Sequence, residues 1–342
     1  MFSPHTMQIE TFRVPDIFAV LRRDWNALLT QSASDTLFLT REFQQTWWEH
    51  CGADCELRVM TARDDTGQLV GIAPLYAARD ANGRTVLRLI GGVEVADYLD
   101  LIAAREQCAV VWRAIVAALC ETDDWHALDL RNIPAASPTR EAITLLAEQH
   151  RLALTAHIEE VCPIIALPTT FEAYLESLDK KQRHEIRRKV RKAYAEADIH
   201  WYCVGAEHNL TEAVENFIAL HQRSQFNKDN FMTQTMRNFF HALARRCSDA
   251  GWLELAFIEV NGQCAATYFN FAYNQQTLCY NSGYDPQAYA ALSPGIVLLA
   301  RLIEHAIQHG RTGFDFLQGN ETYKYRMGAQ DTAVYQLTVA RT

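Results

Sequence analysis

The sequence lacks what a membrane-spanning, secreted or metal-holding chain would show. Its longest apolar run, CAVVWRAIVAALC at 108–120, is interrupted by Arg113 and falls short of the roughly 20 residues that span a bilayer as a helix. The leading segment MFSPHTMQIETFRVPD has no apolar stretch of the kind a secretory leader carries, and it acquires acids early. The nine cysteines are odd in number, scattered, and form no CxxC pair. That pattern suits reduced, mostly buried thiols in a cytoplasm rather than a disulfide framework. Cys51 and Cys55 have no partners at zinc-ligand spacing, so no metal is expected. There is no nucleophile elbow, no Walker loop, no GxGxxG and no HExxH. Positive charge is in deficit too, with 32 Lys and Arg against 41 Asp and Glu and a formal net charge of -9. This argues against a general nucleic-acid binder but leaves room for one local basic footprint.

What the chain does contain is an ordinary globular composition, 49% hydrophobic and 21% charged over 342 residues. That length exceeds the usual single core, so two domains are expected. The first half alternates helices and strands. A strand over 9–14 leads into a helix opened by Pro15 and running to about Leu29, followed by an amphipathic helix at 41–50. LRVMTAR and LVGIAPLYAAR read as strands joined by the hairpin DDTGQ. TVLRLIGG and ADYLDLI read as further strands, followed by helix 106–121, strand ALDLR, helix 138–150 and strand LALTAH, and CPIIALP ends this half. The second half repeats this order. Helices fill 171–197 with a break near Asp179, and strand IHWYCV follows. Helices 209–225 and 233–248 lead into a three-strand meander with a tight turn at Asn261-Gly262. A long helix at 296–309 and strand FDF come last. Mixed helices and antiparallel strands in runs indicate an α+β, mixed α/β fold, and the shared element order indicates an internal structural repeat.

Three stretches can carry chemistry. In LSPG, Ser293 suits a helix N-cap, Pro294 the first turn, and Gly295 close approach of a ligand to the backbone. A helix N-terminus there could take a phosphate, or simply be a capped helix. In DFLQGNETYKYRMGA, Tyr323, Lys324, Tyr325 and Arg326 place two phenols and two cations in four residues. Read as a strand, they put Lys324 and Arg326 on one face to hold an anion, with an edge strand of solvated cations as the alternative. KKQRHEIRRKVRK at 180–192 has eight Lys or Arg among thirteen residues. On a helical wheel Ile186, Val190, Ala193 and Ala197 form an apolar stripe, and Arg187, Arg188 and their basic neighbours form the opposite face. Such a face is either solvated or an anion site. ADYLDLI places Asp97 and Asp100 around Tyr98, where Asp97 either lines a cleft or caps a turn.

LSPG before a long helix, then GFDFLQGNETYKYRMGA, resembles the bacterial Fem-type branch of the GNAT acyltransferase superfamily, and within it the cellulose-biosynthesis-type acetyltransferases. The similarity is strongest over 165–330, where Met327 stands in place of the family's usual Trp. Over 1–164, ADYLDLI is its main point of contact. The resemblance implies two tandem GNAT-like domains, each a mixed, largely antiparallel sheet flanked by helices. An N-terminal domain over 1–164 would be degenerate and serve the acceptor side, and a C-terminal domain over 165–342 would be catalytic. It implies metal-independent acyl transfer from acetyl-CoA or another acyl-CoA to an amine or hydroxyl. A backbone N–H of the strand 277–284 would polarise the thioester, and Leu292, Ser293, Pro294 and Gly295 would hold the pyrophosphate. Only Gly295 remains of the superfamily's glycine-rich loop. Asp315 or Glu321 would serve as base and Tyr323 as acid or substrate ligand. Lys324, Arg326, Arg187, Arg188, Asp97 and Tyr98 would bind substrate. Two other readings stand beside this one. An aminoacyl-tRNA donor is the first, supported by the basic helix. The second is a non-catalytic binding module, supported by the reduced glycine loop.

Overall fold

The computed structural model describes residues 7–224 and 231–341. The first six residues, part of the segment read for a leader, and residue 225, expected to end a helix, lie outside the described residues. The chain divides into two compact units, Met1–Val161 with Ala333–Thr342, and Cys162–Thr332.

The first unit is built on β1 (Gln8–Phe12), β2 (Glu56–Arg63), β3 (Leu69–Arg79) and β4 (Thr85–Leu89), an antiparallel run. The expected helix from Pro15 to Leu29 is two short ones, α1 (Ile17–Val20) and α2 (Asp24–Leu29). Helix α3 (Arg41–Cys51) is capped by the Thr40 hydroxyl, which accepts from the Phe43 N–H. The β2–β3 hairpin forms because the Asp64 carboxylate accepts from the backbone of Thr66 and Gln68, the local bonding that makes Asp a turn residue. Helix α4 (Cys108–Cys120) carries the chain over to β5 (Ala127–Pro134), which lies parallel to β4. Helix α5 (Thr139–Gln149) follows, and β6 (Ala153–Ala166) extends the strand expected from LALTAH through most of CPIIALP. The last strand, β12 (Gln330–Ala340), pairs with β5 from Val334 to Ala340. Residues 333–341 therefore belong to the first unit, although chain order divides the sequence at 164/165. A ladder with β5 decides membership that chain order alone cannot show.

ADYLDLI is not a strand. Leu99 donates to the Asn132 carbonyl at 3.0 Å, and Ile102 makes a lone bridge to Ile72. Asp100 is buried and accepts from Thr139, Ser34 and the Leu101 N–H. Each residue is satisfied by a different neighbour, so no ladder forms.

The second unit repeats the plan. Helix α6 (Phe171–Ser177) and α7 (Lys180–Glu196) break at the expected place, where Asp179 accepts from the Gln182 N–H at 2.9 Å. Strand β7 (Ile199–Cys203) and helices α8 (Leu210–Ser224) and α9 (Gln234–Asp249) come next. Strands β8 (Leu253–Val260), β9 (Gln263–Tyr273) and β10 (Gln276–Tyr284) form the meander. Gly283 on β10 is obligatory, because a Cβ there would stand 2.4 Å from the His221 backbone nitrogen of α8. Helix α10 (Pro294–Gln308) then crosses to β11 (Gly313–Asp315), parallel to β10, and the end of β6 pairs antiparallel to β11. The motif β4–α4–β5 of the first unit thus recurs as β10–α10–β11.

Segment Ala290–Gln308 is long and apolar enough to cross a membrane, with mean hydropathy 1.4, but 56% of it is buried within the fold. It is the central helix of the second core, with Val297, Leu298, Leu299, Leu302 and Ile303 under the sheet. Each such side chain contributes roughly 1.5–3 kcal/mol by leaving water. The stripe expected on α7 is also used: Ile186 and Ala193 are buried in the same cluster, with Val190 and Ala197 packed at its edge.

Candidate active site

The parallel pair β10 and β11 meets over only three residues, from Gln276↔Gly313 to Leu278↔Asp315. Two local features end the pairing. The β10–β9 register shifts between Cys279 and Asn281, a bulge of the kind found beside active sites. On β11, the Asp315 carboxylate accepts from the Leu317 N–H at 2.7 Å while Leu317 takes a left-handed φ of 56°. The chain is thereby turned away, and β10 runs on to Tyr284 alone on that side. An opening at the carboxyl ends of parallel strands is where open α/β sheets bind ligands.

Helix α10 starts beside this opening. Ser293 has a left-handed φ of 51° and its hydroxyl caps nothing, so the expected side-chain cap is replaced by backbone: Ile296 and Val297 donate to the Ser293 carbonyl. Around Gly295 there is open space: apart from its chain neighbours and the backbone of its own helix, no heavy atom lies within 4 Å of where a Cβ would sit. Leu292 and Pro294 are buried and Tyr268 donates to the Gly295 carbonyl at 3.4 Å, so the turn is held from within and Gly295 is its open point. These residues fit a pyrophosphate group: a helix N-terminus favours negative charge, and a side chain at 295 would occupy the room.

A cavity of about 520 Å³ lies between α7, the start of α10 and the segment 323–327. Its cations are Lys181, Arg188, Lys189 and Arg326, its one carboxylate is Glu185, and Ile186, Ile296, Tyr323 and Met327 supply apolar wall. Glu185 pairs with Arg188 at 2.8 Å and with Lys189 at 3.7 Å. The Arg188 hydrogen bond holds the Glu185 carboxyl below its usual range.

The residues 323–326 correct the strand expectation. They form a short helix, α11 (Thr322–Arg326). Lys324 does not face outward. Its ammonium donates to the carbonyls of Leu317 (3.3 Å), Gln318 (2.7 Å) and Gly319 (3.0 Å) and pairs with Glu321 at 3.0 Å. With 3% of its side chain exposed, Lys324 clamps the turn after β11 and has no donor to spare for a ligand. Five residues are too few for helical periodicity to be read from the sequence, and the helix is held by contacts such as this clamp. Tyr323 lies edge-on to Phe316 with centroids 5.9 Å apart. Burial, with Cys279, Tyr268 and Glu321 nearby, pushes its phenol well above the usual range. Burial also pushes the Cys279 thiol up to about 12, so it is no thiolate nucleophile at neutral pH. Tyr174 ties the segment down by donating to the Met327 carbonyl at 2.9 Å.

The structure therefore brings together Arg188, Tyr323 and Arg326 in one cavity reached by the start of α10. Arg187 is exposed and does not line it. Asp315 is buried and Glu321 exposed. Asp97 and Tyr98 belong to the first unit, where Tyr98 packs on Phe38 with centroids 6.2 Å apart. There the position matching the β10–β11 opening is closed by the unit's own chain. β4 and β5 part after Arg88↔Asp129, and Asn132, at φ 59°, donates to the Ala96 carbonyl while its own carbonyl accepts from Leu99. Sequence reasoning placed Lys181 on the basic face but missed Lys189 and Ile296 as lining residues. Ile296, two residues past the proline that opens the helix, was the available signal.

Residues 180–325 match the family model of the acetyltransferase (GNAT) domain. The fold is a tandem pair of GNAT-like domains. The match starts with α7, so the basic helix is part of that domain. Three solved structures share the fold at low identity. FemX aligns at TM-score 0.67 with 10% identity, covering 96% of both chains. A conserved protein of unknown function from Bacteroides thetaiotaomicron aligns at 0.59 with 12% identity, covering 98% of this chain and 100% of that one. A tandem GNAT protein from the clavulanic acid biosynthesis pathway aligns at 0.51 with 11% identity, covering 98% and 99%. No match was found among curated proteins. Among the described residues, no group of three or more His, Cys, Asp or Glu could hold a metal ion.

Proposed function

We propose that this chain is a cytoplasmic acyltransferase. It moves an acyl group, acetyl in the simplest case, from an acyl-CoA to an amine or hydroxyl of a small-molecule or saccharide precursor of the cell envelope. The observation that carries the reading is the parting of β10 from β11 beside a helix N-terminus that is open at Gly295 and adjoins a cation-lined cavity. The turn from Leu292 to Gly295 and the free end of α10 bind the donor's pyrophosphate. Backbone N–H groups of β10 near the bulge face the thioester carbonyl and stabilise the oxyanion that forms on attack. Tyr323, kept neutral by burial, supplies a proton to the departing thiolate. Glu321 takes the acceptor's proton, being exposed where Asp315 is buried at the strand end. Asp315 and Lys324 shape the turn instead. Arg188 and Arg326 hold anionic groups of the bound substrates, the donor included. The first unit, its matching opening filled by its own residues 96–99, is a degenerate copy that takes no donor.

A second reading keeps the fold and takes aminoacyl-tRNA as donor. It is favoured by the exposed cations of α7. Calorimetry with acetyl-CoA, CoA and bulk tRNA at two salt concentrations tests both. CoA binding with modest salt dependence supports the first. A tRNA signal alone, falling steeply with salt, would replace it with the second. Heat from neither would leave a non-catalytic module.

A further inference from the structure

The cations of the cavity are spread more widely than one pyrophosphate can use. Lys181, Arg188 and Lys189 lie on one wall, and Arg326 projects from α11. Lys181 and Lys189 are eight residues apart on the same helix, about 12 Å of rise. The start of α10, represented in the lining by Ile296, is a separate anion-binding end. Glu185 engages Arg188 and Lys189. Among the described residues, the side chains of Lys181 and Arg326 have no hydrogen bond or ion pair. Two unpaired cations in one concave site concentrate anions there, and a dianion between them would relieve their repulsion. A volume of about 520 Å³ is within the range of pockets that enclose a nucleotide-sized ligand, whereas a bare pantetheine arm is thin and uncharged.

We infer that this cavity reads a second phosphate on the donor, the 3′-phosphate on the ribose of coenzyme A, through Lys181 and Arg326 with Arg188 and Lys189 behind them. The inference rests on the donor reading above and adds a specificity to it: the protein distinguishes coenzyme A from its 3′-dephospho form. Gln182 and His184, also in the lining, sit between the cations on the helix and face the adenosine side of the same group. Arg187, on the same helix but outside the lining, takes no part.

The test is calorimetric titration of the full chain with CoA and with 3′-dephospho-CoA, which needs no knowledge of the acceptor. The wild type should bind CoA at least ~10-fold more tightly, a difference of about 1.4 kcal/mol. The double variant Lys181→Gln/Arg326→Gln should bring the two affinities to within about 3-fold, as expected when charge-assisted contacts to a phosphate are lost. Arg187→Gln removes the same charge from the same helix and should leave the ratio unchanged. All three side chains lack buried packing, so near-UV circular dichroism should match the wild type. Equal affinities of the wild type for both compounds would overturn the inference while the donor reading stands. A preference that survives the double variant, or that Arg187→Gln abolishes equally, would overturn the assignment to these residues. Heat from neither compound would overturn the donor reading and the inference with it.

Discussion

Lys324 shows how far geometry can reverse a residue's apparent role. In the sequence it is a free cation beside a tyrosine, suited to holding a substrate phosphate. In the fold it is a clamp. Lys324→Met keeps the side chain as far as Cε and removes the ammonium from three carbonyls and from Glu321. A hydrogen bond to a charged donor contributes about 1.5–3 kcal/mol when buried, but two of the three carbonyl contacts are only part-buried. The Glu321 pair, with a half-exposed carboxylate, adds between 0 and about 1 kcal/mol. The expected loss is about 3 kcal/mol, a fall in melting temperature of roughly 6–12 °C for a domain of this size. Thermal unfolding followed by near-UV circular dichroism reads the loss. Donor titration at low temperature, where the variant is still folded, reads the site. Affinity should fall only modestly, through loosening of the 317–327 segment. An unchanged melting temperature with abolished donor binding would refute the reasoning and return Lys324 to the ligand.

Tyr323→Phe should lower thiol release from acetyl-CoA, assayed over a panel of amine and saccharide acceptors, by about 10²-fold with little change in donor affinity; full activity would remove Tyr323 from the chemistry. Arg311→Met strips the buried Glu254 of its bidentate partner (2.6 Å for one of the two contacts) and should cost about 3–5 kcal/mol in denaturant melts. Burial raises the Glu254 pKa, but hydrogen bonds from His305 and Arg311 outweigh it and hold the carboxyl below its usual value. Its stabilising effect is therefore present above pH 4.5 and lost as pH falls through the folded-state pKa, so Glu254→Gln should flatten the acid limb of the stability profile. Asp100 has the opposite sign. Burial raises its pKa against the hydrogen bonds from Ser137, Ser34 and Thr139, so between the unfolded-state and folded-state pKa values the native chain holds a proton that the unfolded chain has released, and stability falls as pH rises through that window. Asp100→Asn should remove that slope, and an unaltered profile would contradict the direction assigned.

The repeat was legible because element order survives where sequence similarity does not: hairpin, strand, helix, parallel strand occurs twice. Helices with strong caps or long amphipathic faces were placed well, as with Thr40 before α3 and the Asp179 break between α6 and α7. What the sequence did not show depends on partners distant in the chain. ADYLDLI looks like a strand until Asn132 and Thr139 divide its bonds among them. TYKYR looks like a strand until the carbonyls of 317–319 require an ammonium. The strand 334–340 follows the second unit in order but pairs with β5. Within the second unit, Arg188, Tyr323 and Arg326 line one cavity, while Arg187 is exposed outside its lining and Lys324 is buried in the turn after β11. A wheel shows which face of a helix is basic but not which cations on that face border a cavity.

The central claim is that the donor's phosphates lie at the start of α10. Titration of acetyl-CoA into the wild type and into Gly295→Glu tests it most directly. Position 295 has open space for a side chain and no positive φ, so the variant should fold and melt as the wild type does while placing a carboxylate where the pyrophosphate belongs. The account predicts one binding event per chain in the wild type and at least a ~100-fold loss in the variant, a difference of about 2.7 kcal/mol. Equal affinity of the two proteins for acetyl-CoA would contradict it.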